Sequence, residues 1–363
     1  MESERMPIPA LITLGLFLSG FLACAGKQES PRTGELAGTI IPRLYFQSRI
    51  DDEAYSFRAP RDMTIDSEGA LYIFDYSDYV IKKFGPNGQH IETFGGEGDE
   101  PGKFTHLTNI RALSDRLLAA DSMALDIFSL QGEFVGRTVF PQEVLVDHPA
   151  ILDDGSFAGS QIVAEELKKV LTYRSPAGVE LARLASYNIN EFFPEIREGE
   201  DFFLSEAHAR QYTYAVEVSG AIVWAASDDF RIYRFREGVS REVLAETFTP
   251  AALPEEERLA LEERKAKTGP PLFLYVPADY QLIHHLLAGP DGDIWVYLKS
   301  RERTGFLRYS GRGRFRGFYV IEAPFDMINP DLVVRIFNGR MYFFISERRK
   351  PLAIYAAELP ERP

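Results

Sequence analysis

The sequence predicts an all-β fold, a six-bladed β-propeller, on three observations. The segment Pro60 to Phe104, PRDMTIDSEGALYIFDYSDYVIKKFGPNGQHIETFGGEGDEPGKF, reads as a four-strand module, and shorter echoes of it return five more times. First turns of the successive units fall at 69, 115, 155, 220, 292 and 339, and the shorter intervals match the roughly 40 to 50 residues of one propeller blade. The last unit ends near Leu359 with only three recognisable strands, and an apolar stretch, Thr39 to Ser48, is available upstream to complete it. A blade cannot bury both of its faces alone, so blades pack radially, and an N-terminal strand that closes the ring removes most unprotected edges. One closed propeller over residues 39–363 absorbs a length that would otherwise suggest two or three domains. Hydrophobic content of 45% and aromatic content of 13% argue for a folded core.

Each blade follows from local chemistry. In blade one an apolar strand turns at Gly69 into Ala70 to Phe74, rich in the β-branched and aromatic residues that pleated strands favour. Asp75 and Ser77 supply turn chemistry. Tyr79 to Phe84 ends in Pro86-Asn87-Gly88, a hairpin signal because Asn and Gly tolerate positive φ, and His90 to Phe94 is the fourth strand. Blade two covers Asn109 to Phe140, with Asp115 at its first turn, Asp121 six residues later and Gly132 at its second hairpin. The remaining blades turn at Asp153-Asp154-Gly155 and Gly178, at Gly220 and Gly238, at Asp291-Gly292 and Gly313, and at Asn338-Gly339.

Two insertions lengthen the repeat. Tyr187 to Arg210 carries Phe192-Phe193-Pro194 and Phe202-Phe203, unusually aromatic for a loop. Thr249 to Pro277, between blades four and five, reads as a short helix: Glu255, Glu256 and Glu257 sit in its first turn, Arg264, Lys265 and Lys267 near its end, and Gly269-Pro270-Pro271 stops it. Two readings fit: the insertions overhang one face as a lid or docking surface, or their aromatics pack against the propeller.

The N-terminus supplies an address. Pro7 to Ala23 is an uncharged run rich in Leu, Ile and Phe, too short for the roughly 20 residues that span a bilayer as a helix, and it ends Phe21-Leu22-Ala23-Cys24. It resembles a lipoprotein signal with its lipobox, although Phe21 and Leu22 depart from the usual box residues and Arg5 is the only basic residue before it. The resemblance implies a signal peptide over residues 1–23, lipidation at Cys24, the only cysteine, and a polar tether over residues 24–38. Ala25 in place of an acidic residue implies the outer membrane, facing the periplasm or the exterior. The membrane is thus one expected partner, reached through the lipid.

On the residues quoted for blade one, the repeat resembles the NHL type found in six-bladed propellers of bacterial secreted lipoproteins. The likeness is specific in blade one and loose in blades three to six. It implies fold with more authority than function, because propellers host many activities.

Charge is uneven. The chain carries a formal net −14, yet residues 281–363 hold 13 Lys and Arg against 9 Asp and Glu. Arg301, Arg303, Arg308, Arg312, Arg314 and Arg316 crowd one hairpin region, as a patch for an anionic partner or as a solvated face paired with acidic neighbours. An acidic exported chain is not expected to bind nucleic acid.

Histidines give the candidate site. His106, His148, His284 and His285 fall seven to nine residues before the first turns of their blades, near the starts of innermost strands, where they are expected to face the axial channel. Converging imidazoles suit Zn²⁺ or general-base chemistry, so His106, His148 and His285 are weak metal candidates. The same register adds Arg61, Asp62, Asn109, Tyr212 and Asp331 at the channel mouth, and Asp62, Asn109 and Asp331 could supply oxygen ligands to Ca²⁺. The spacings lack HxxxH, HExxH, GxSxG and a phosphate loop, so no cofactor is expected and catalytic residues stay unassigned.

Three functions are open. The leading expectation is a lipid-anchored, monomeric binding or scaffold propeller of the cell envelope that recognises a glycan, peptide or envelope protein. The second is a metal-dependent hydrolase, lactonase or lyase working in the axial channel. The third is a structural subunit of an outer-membrane complex.

Overall fold

In the computed structural model the described residues are 36–121, 123–140, 147–197, 203–205, 210–329, 332–346 and 350–361. Cys24 and the signal and most of the tether lie outside them, as do His208 and Asp331.

Five blades are built in chain order from four antiparallel strands, innermost first. Blade one comprises Pro60–Ile65, Leu71–Asp75, Val80–Phe84 and His90–Gly95. Blade two comprises Leu107–Ala112, Arg116–Asp121, Ala124–Ser129 and Phe134–Val139, and blade three Asp147–Ile151, Phe157–Val163, Lys168–Arg174 and Glu180–Asn188. Blade four comprises Tyr212–Val216, Ile222–Ala226, Arg231–Arg236 and Val239–Ala245, and blade five Ile283–Ala288, Ile294–Lys299, Thr304–Tyr309 and Phe315–Ile321. Blade six has Leu332–Phe337, Arg340–Ile345 and Ala353–Glu358, and its outer strand is the N-terminal Arg43–Gln47, paired antiparallel to Ala353–Glu358. The protein is a six-bladed propeller closed by its own N-terminus.

The expected closing strand, Thr39 to Ser48, is in fact two. Leu36–Ile40 lies parallel to the outer strand of blade five, and only Arg43–Gln47 joins blade six. Pro42 sits at the break, where a residue with a fixed φ and no N–H cannot continue a ladder. The two blades flanking the chain ends are therefore both tied down by one N-terminal segment.

The core is divided among the blade interfaces. Second strands have neighbours on both faces, so they read as continuous apolar runs; Leu71–Asp75 is buried at all five positions. Phe74 and Tyr72 pack against Ile110 and Leu117 between blades one and two, Leu171 against Trp224 between three and four, and Val223 against Leu286 between four and five. Phe46 of the closing strand packs against Phe84 with ring centroids 4.8 Å apart, in a cluster shared by blades six and one.

The recurrent acidic positions are turn fasteners. Asp66 accepts the amides of Glu68 at 3.0 Å and Ala70 at 2.8 Å around Gly69, whose φ of 86° favours glycine. Asp75 accepts the amides of Arg58 and Ala59 at 2.8 and 2.9 Å, and Asp121 does the same for Thr105 and His106 at 2.8 Å. Asp75 and Asp121 each fix the loop that enters an innermost strand.

The two insertions clasp each other. Phe203–Ser205 pairs in parallel with Leu272–Leu274, and Ile189, Phe193 and Ile196 form a buried cluster with Phe273 and Tyr275. Phe192 and Tyr275 meet edge-on at 5.2 Å. Phe192 and Phe193 of the first insertion thus pack inward; Phe193 is 1% exposed. The expected helix spans Glu255–Lys267, with acidic residues in its first turn, basic residues in its last and no buried residue.

Candidate functional site: the axial channel

Six innermost strands leave a central cavity of about 2010 Å³, and each contributes to its wall: Met63, Asn109, Ala150, Tyr212, His285 and Arg335, from blades one to six in turn. One mouth lies where these strands begin. Glu257 of the helix reaches it and accepts a hydrogen bond from Tyr280, while Lys299 Nζ sits 3.3 Å from the centre of the Tyr280 ring. The hydroxyl of Tyr280 is held above its ordinary pKa, first by burial and then by the Glu257 carboxylate.

Asp62, Asn109 and Arg335 form the polar centre. Asp62 is 1% exposed and accepts Asn109 Nδ2 at 2.6 Å, the Ile110 amide at 3.1 Å and Arg335 Nη2 at 3.3 Å. The contacts join blade one to blade two and, across the ring seam, to blade six. A buried carboxylate needs such partners, since leaving it unpaired costs several kcal/mol. Asp62 and Asn109 are therefore brought together, with Asp62 in the wall and Asn109 on the channel surface.

His285 lines the channel from blade five, and its Nε2 lies 3.0 Å from the Met327 carbonyl oxygen. Burial pushes its pKa down to about 4; the Met327 carbonyl opposes that and the Arg335 charge reinforces it. The imidazole is neutral at pH 7, so with an oxygen as partner its Nε2 is the donor. His284 also lines the channel, with its ring 6.3 Å from that of Tyr297.

The other expected site residues are dispersed. Tyr212 lines the channel but is 8% exposed, edge-on to Trp224 at 6.3 Å, and burial raises its pKa. Arg61 is at the mouth, exposed, with its guanidinium 5.7 Å from the centre of the Tyr76 ring. His106 does not face the channel, contrary to expectation. Asp121 holds its backbone on the loop before the strand, its exposed ring meets Tyr76 at 5.9 Å, and it borders a separate cavity of about 450 Å³ with Lys103 and Arg137. His148 is on the innermost strand of blade three with its side chain outside the described residues, as Asp331 is entirely. Among the described residues no three His, Cys, Asp or Glu side chains gather as metal ligands.

Arg335, Glu257 and Tyr280 were not expected from the sequence. Arg335 had a signal: it is the one charged residue in the strand LVVRIF, on an edge that must face the channel. Glu257 and Tyr280 had none, because both belong to the insertion and its return.

No family model matches the chain, and no curated protein matches it. Solved structures do. A Bacteroides fragilis protein inferred to be exported aligns with a TM-score of 0.52 at 10% identity, covering 89% of this chain and 96% of its own. A member of the DUF4221 family from Bacteroides vulgatus aligns with a TM-score of 0.52 at 11% identity, covering 90% and 99%. At such identities the likeness shows the fold alone.

Proposed function

We propose that this is a lipid-anchored binding propeller of the cell envelope, held by Cys24 in the outer membrane, whose axial channel takes up a glycan, a peptide or a segment of an envelope protein. The observation that carries this reading is the channel: about 2010 Å³, walled by all six blades, with hydrogen-bonding side chains at Asn109, His285 and Arg335 against apolar neighbours such as Met63. Concave sites with a few placed polar groups are where ligands bind. The envelope address rests on the apolar run Pro7 to Ala23 that ends at Cys24.

The catalytic alternative, a metal-dependent hydrolase, lactonase or lyase, has His285 as its candidate base, and burial, which holds its pKa at about 4, makes that imidazole a weak base at neutral pH. The complex-subunit alternative rests on the aromatic insertion and the basic last two blades as docking surfaces, and of the insertion's aromatics Phe192 and Phe193 pack within the molecule.

The test is a photo-crosslinking amino acid placed in the full chain, in cells, at Ile328 on the channel mouth or at Val135, which is 64% exposed on the outer rim of blade two. Adducts at Ile328 but not Val135 are expected. Equal labelling, or none at Ile328, sinks the channel reading. Separately, Cys24→Ala is expected to release the protein from membranes, and unchanged sedimentation with them removes the anchor.

A further inference from the structure

Several buried and half-buried arginines in this molecule are consumed by partners. Arg308 holds Asp293 at 2.7 Å and the Pro360 carbonyl at 2.9 Å, and Arg137 holds Asp126 at 2.6 and 2.7 Å. Arg174 reaches Gly178, Gln161 and Thr172, and Arg111 binds Asp153 at 2.7 Å and the Ile151 carbonyl. Arg335 differs. Among the described residues it donates to the carbonyl of its neighbour Val334 at 3.2 Å and to Asp62 at 3.3 Å, using two of a guanidinium's five N–H donors. Asp62, for its part, has the closer Asn109 and the Ile110 amide. Arg335 is thus a planar cation, one-third exposed in the channel wall, with donors to spare.

The surroundings suit an anion. Asn109 stands on the same wall, on the far side of Asp62, and its amide is a neutral donor group. His285, an ionisable group that feels the Arg335 charge, is uncharged at neutral pH and adds no competing negative charge. The carboxylate in contact with it among the described residues, Asp62, is buried and already hydrogen-bonded, so it orients the guanidinium without neutralising all its donors. A planar fork with free donors matches the two oxygens of a carboxylate, where a lysine would offer only a point charge.

Resting on the channel as the binding site, we infer that Arg335 is the anchor for a carboxylate on the ligand, as carried by an acidic sugar or by the C-terminus of a peptide. Ligand-observed NMR on the full chain in detergent tests this with two matched pairs: D-glucuronate against D-glucose, and triglycine against triglycine amide. At least one charged member is expected to bind about tenfold or more tightly than its neutral twin, the scale of a charge-assisted bidentate contact. Which pair discriminates tells a glycan from a peptide. The preference is expected to vanish in Arg335→Gln and to survive in part in Arg335→Lys, with melting curves confirming that both fold. Should Arg335→Gln fail to fold, Asp62→Asn with Arg335→Gln removes both charges of the pair and serves in its place. Neither pair discriminating, or a preference that persists without Arg335, overturns the assignment; channel crosslinks at Ile328 would meanwhile stand, since they do not depend on ligand charge.

Discussion

At the residue scale, position decides what each charge does. Six arginines crowd blade five in sequence, yet Arg308 is buried at 5% exposure against Asp293 and 4.9 Å from the Trp295 ring, while Arg314 is exposed. Removing one partner of a buried pair strands the other, so Arg308→Ala is expected to cost about 3–5 kcal/mol in denaturant unfolding. Arg314→Ala is expected to stay within about 0.5 kcal/mol. Equal losses would show that the crowding, and not burial, matters. His285 makes a pH prediction. Its folded pKa, about 4, lies below the ordinary value near 6.5, so the folded state resists protonation. Its contribution is complete above pH 6.5 and is lost as pH falls toward 4, on the order of 2 kcal/mol for a side chain that partly faces the channel. His285→Gln is expected to flatten the stability profile in that window, and an unchanged acid limb would show that other groups govern it.

At the scale of elements, legibility in the sequence followed the physics of each segment. Blades one and two were readable because Asp66, Asp75 and Asp121 do local work, fastening turns within a few residues or one hairpin of themselves. The helix at Glu255–Lys267 was readable from its charge order and the prolines that stop it. What could not be read depended on contacts far apart in the chain. Residues 189–196 meet 273–275 only through the folded ring, and the contact of Arg335 with Asp62 spans the seam between the chain's two ends. His106 misled because a register counted along the chain cannot see Asp121 pulling it off the channel. The insertion clasp makes its own prediction. Phe193→Ala empties a buried aromatic site whose neighbours belong to both insertions, a change that costs about 3–5 kcal/mol in a packed core. The loss is expected to appear as faster hydrogen exchange at Leu272–Leu274 with blade one unaffected. Uniform loosening of every blade would mean the clasp is part of the main core.

At the scale of the whole molecule, the break in the chain falls inside blade six, between Ala353–Glu358 and Arg43–Gln47, and the fold removes that weakness by building the blade from both ends of the sequence, with residues 48–59 carrying the chain on from blade six into blade one. The N-terminal segment then fastens a second blade by adding Leu36–Ile40 to blade five. Phe46 is where this closure meets the core, buried at 6% among Phe84, Tyr342 and Phe344, whereas Leu44 on the same strand is 53% exposed. A closed ring cannot lose one interface without weakening its neighbours, so the seam should govern stability at a distance. The chain's two tryptophans report on this: Trp224 lies in blade four and Trp295 in blade five, neither at the seam. Phe46→Ala is expected to lower both single-tryptophan melting transitions together, by the equivalent of about 3 kcal/mol, while Leu44→Ala leaves them in place. Two separated transitions in Phe46→Ala would mean that the blades unfold one by one and that the N-terminal strands only trim an edge.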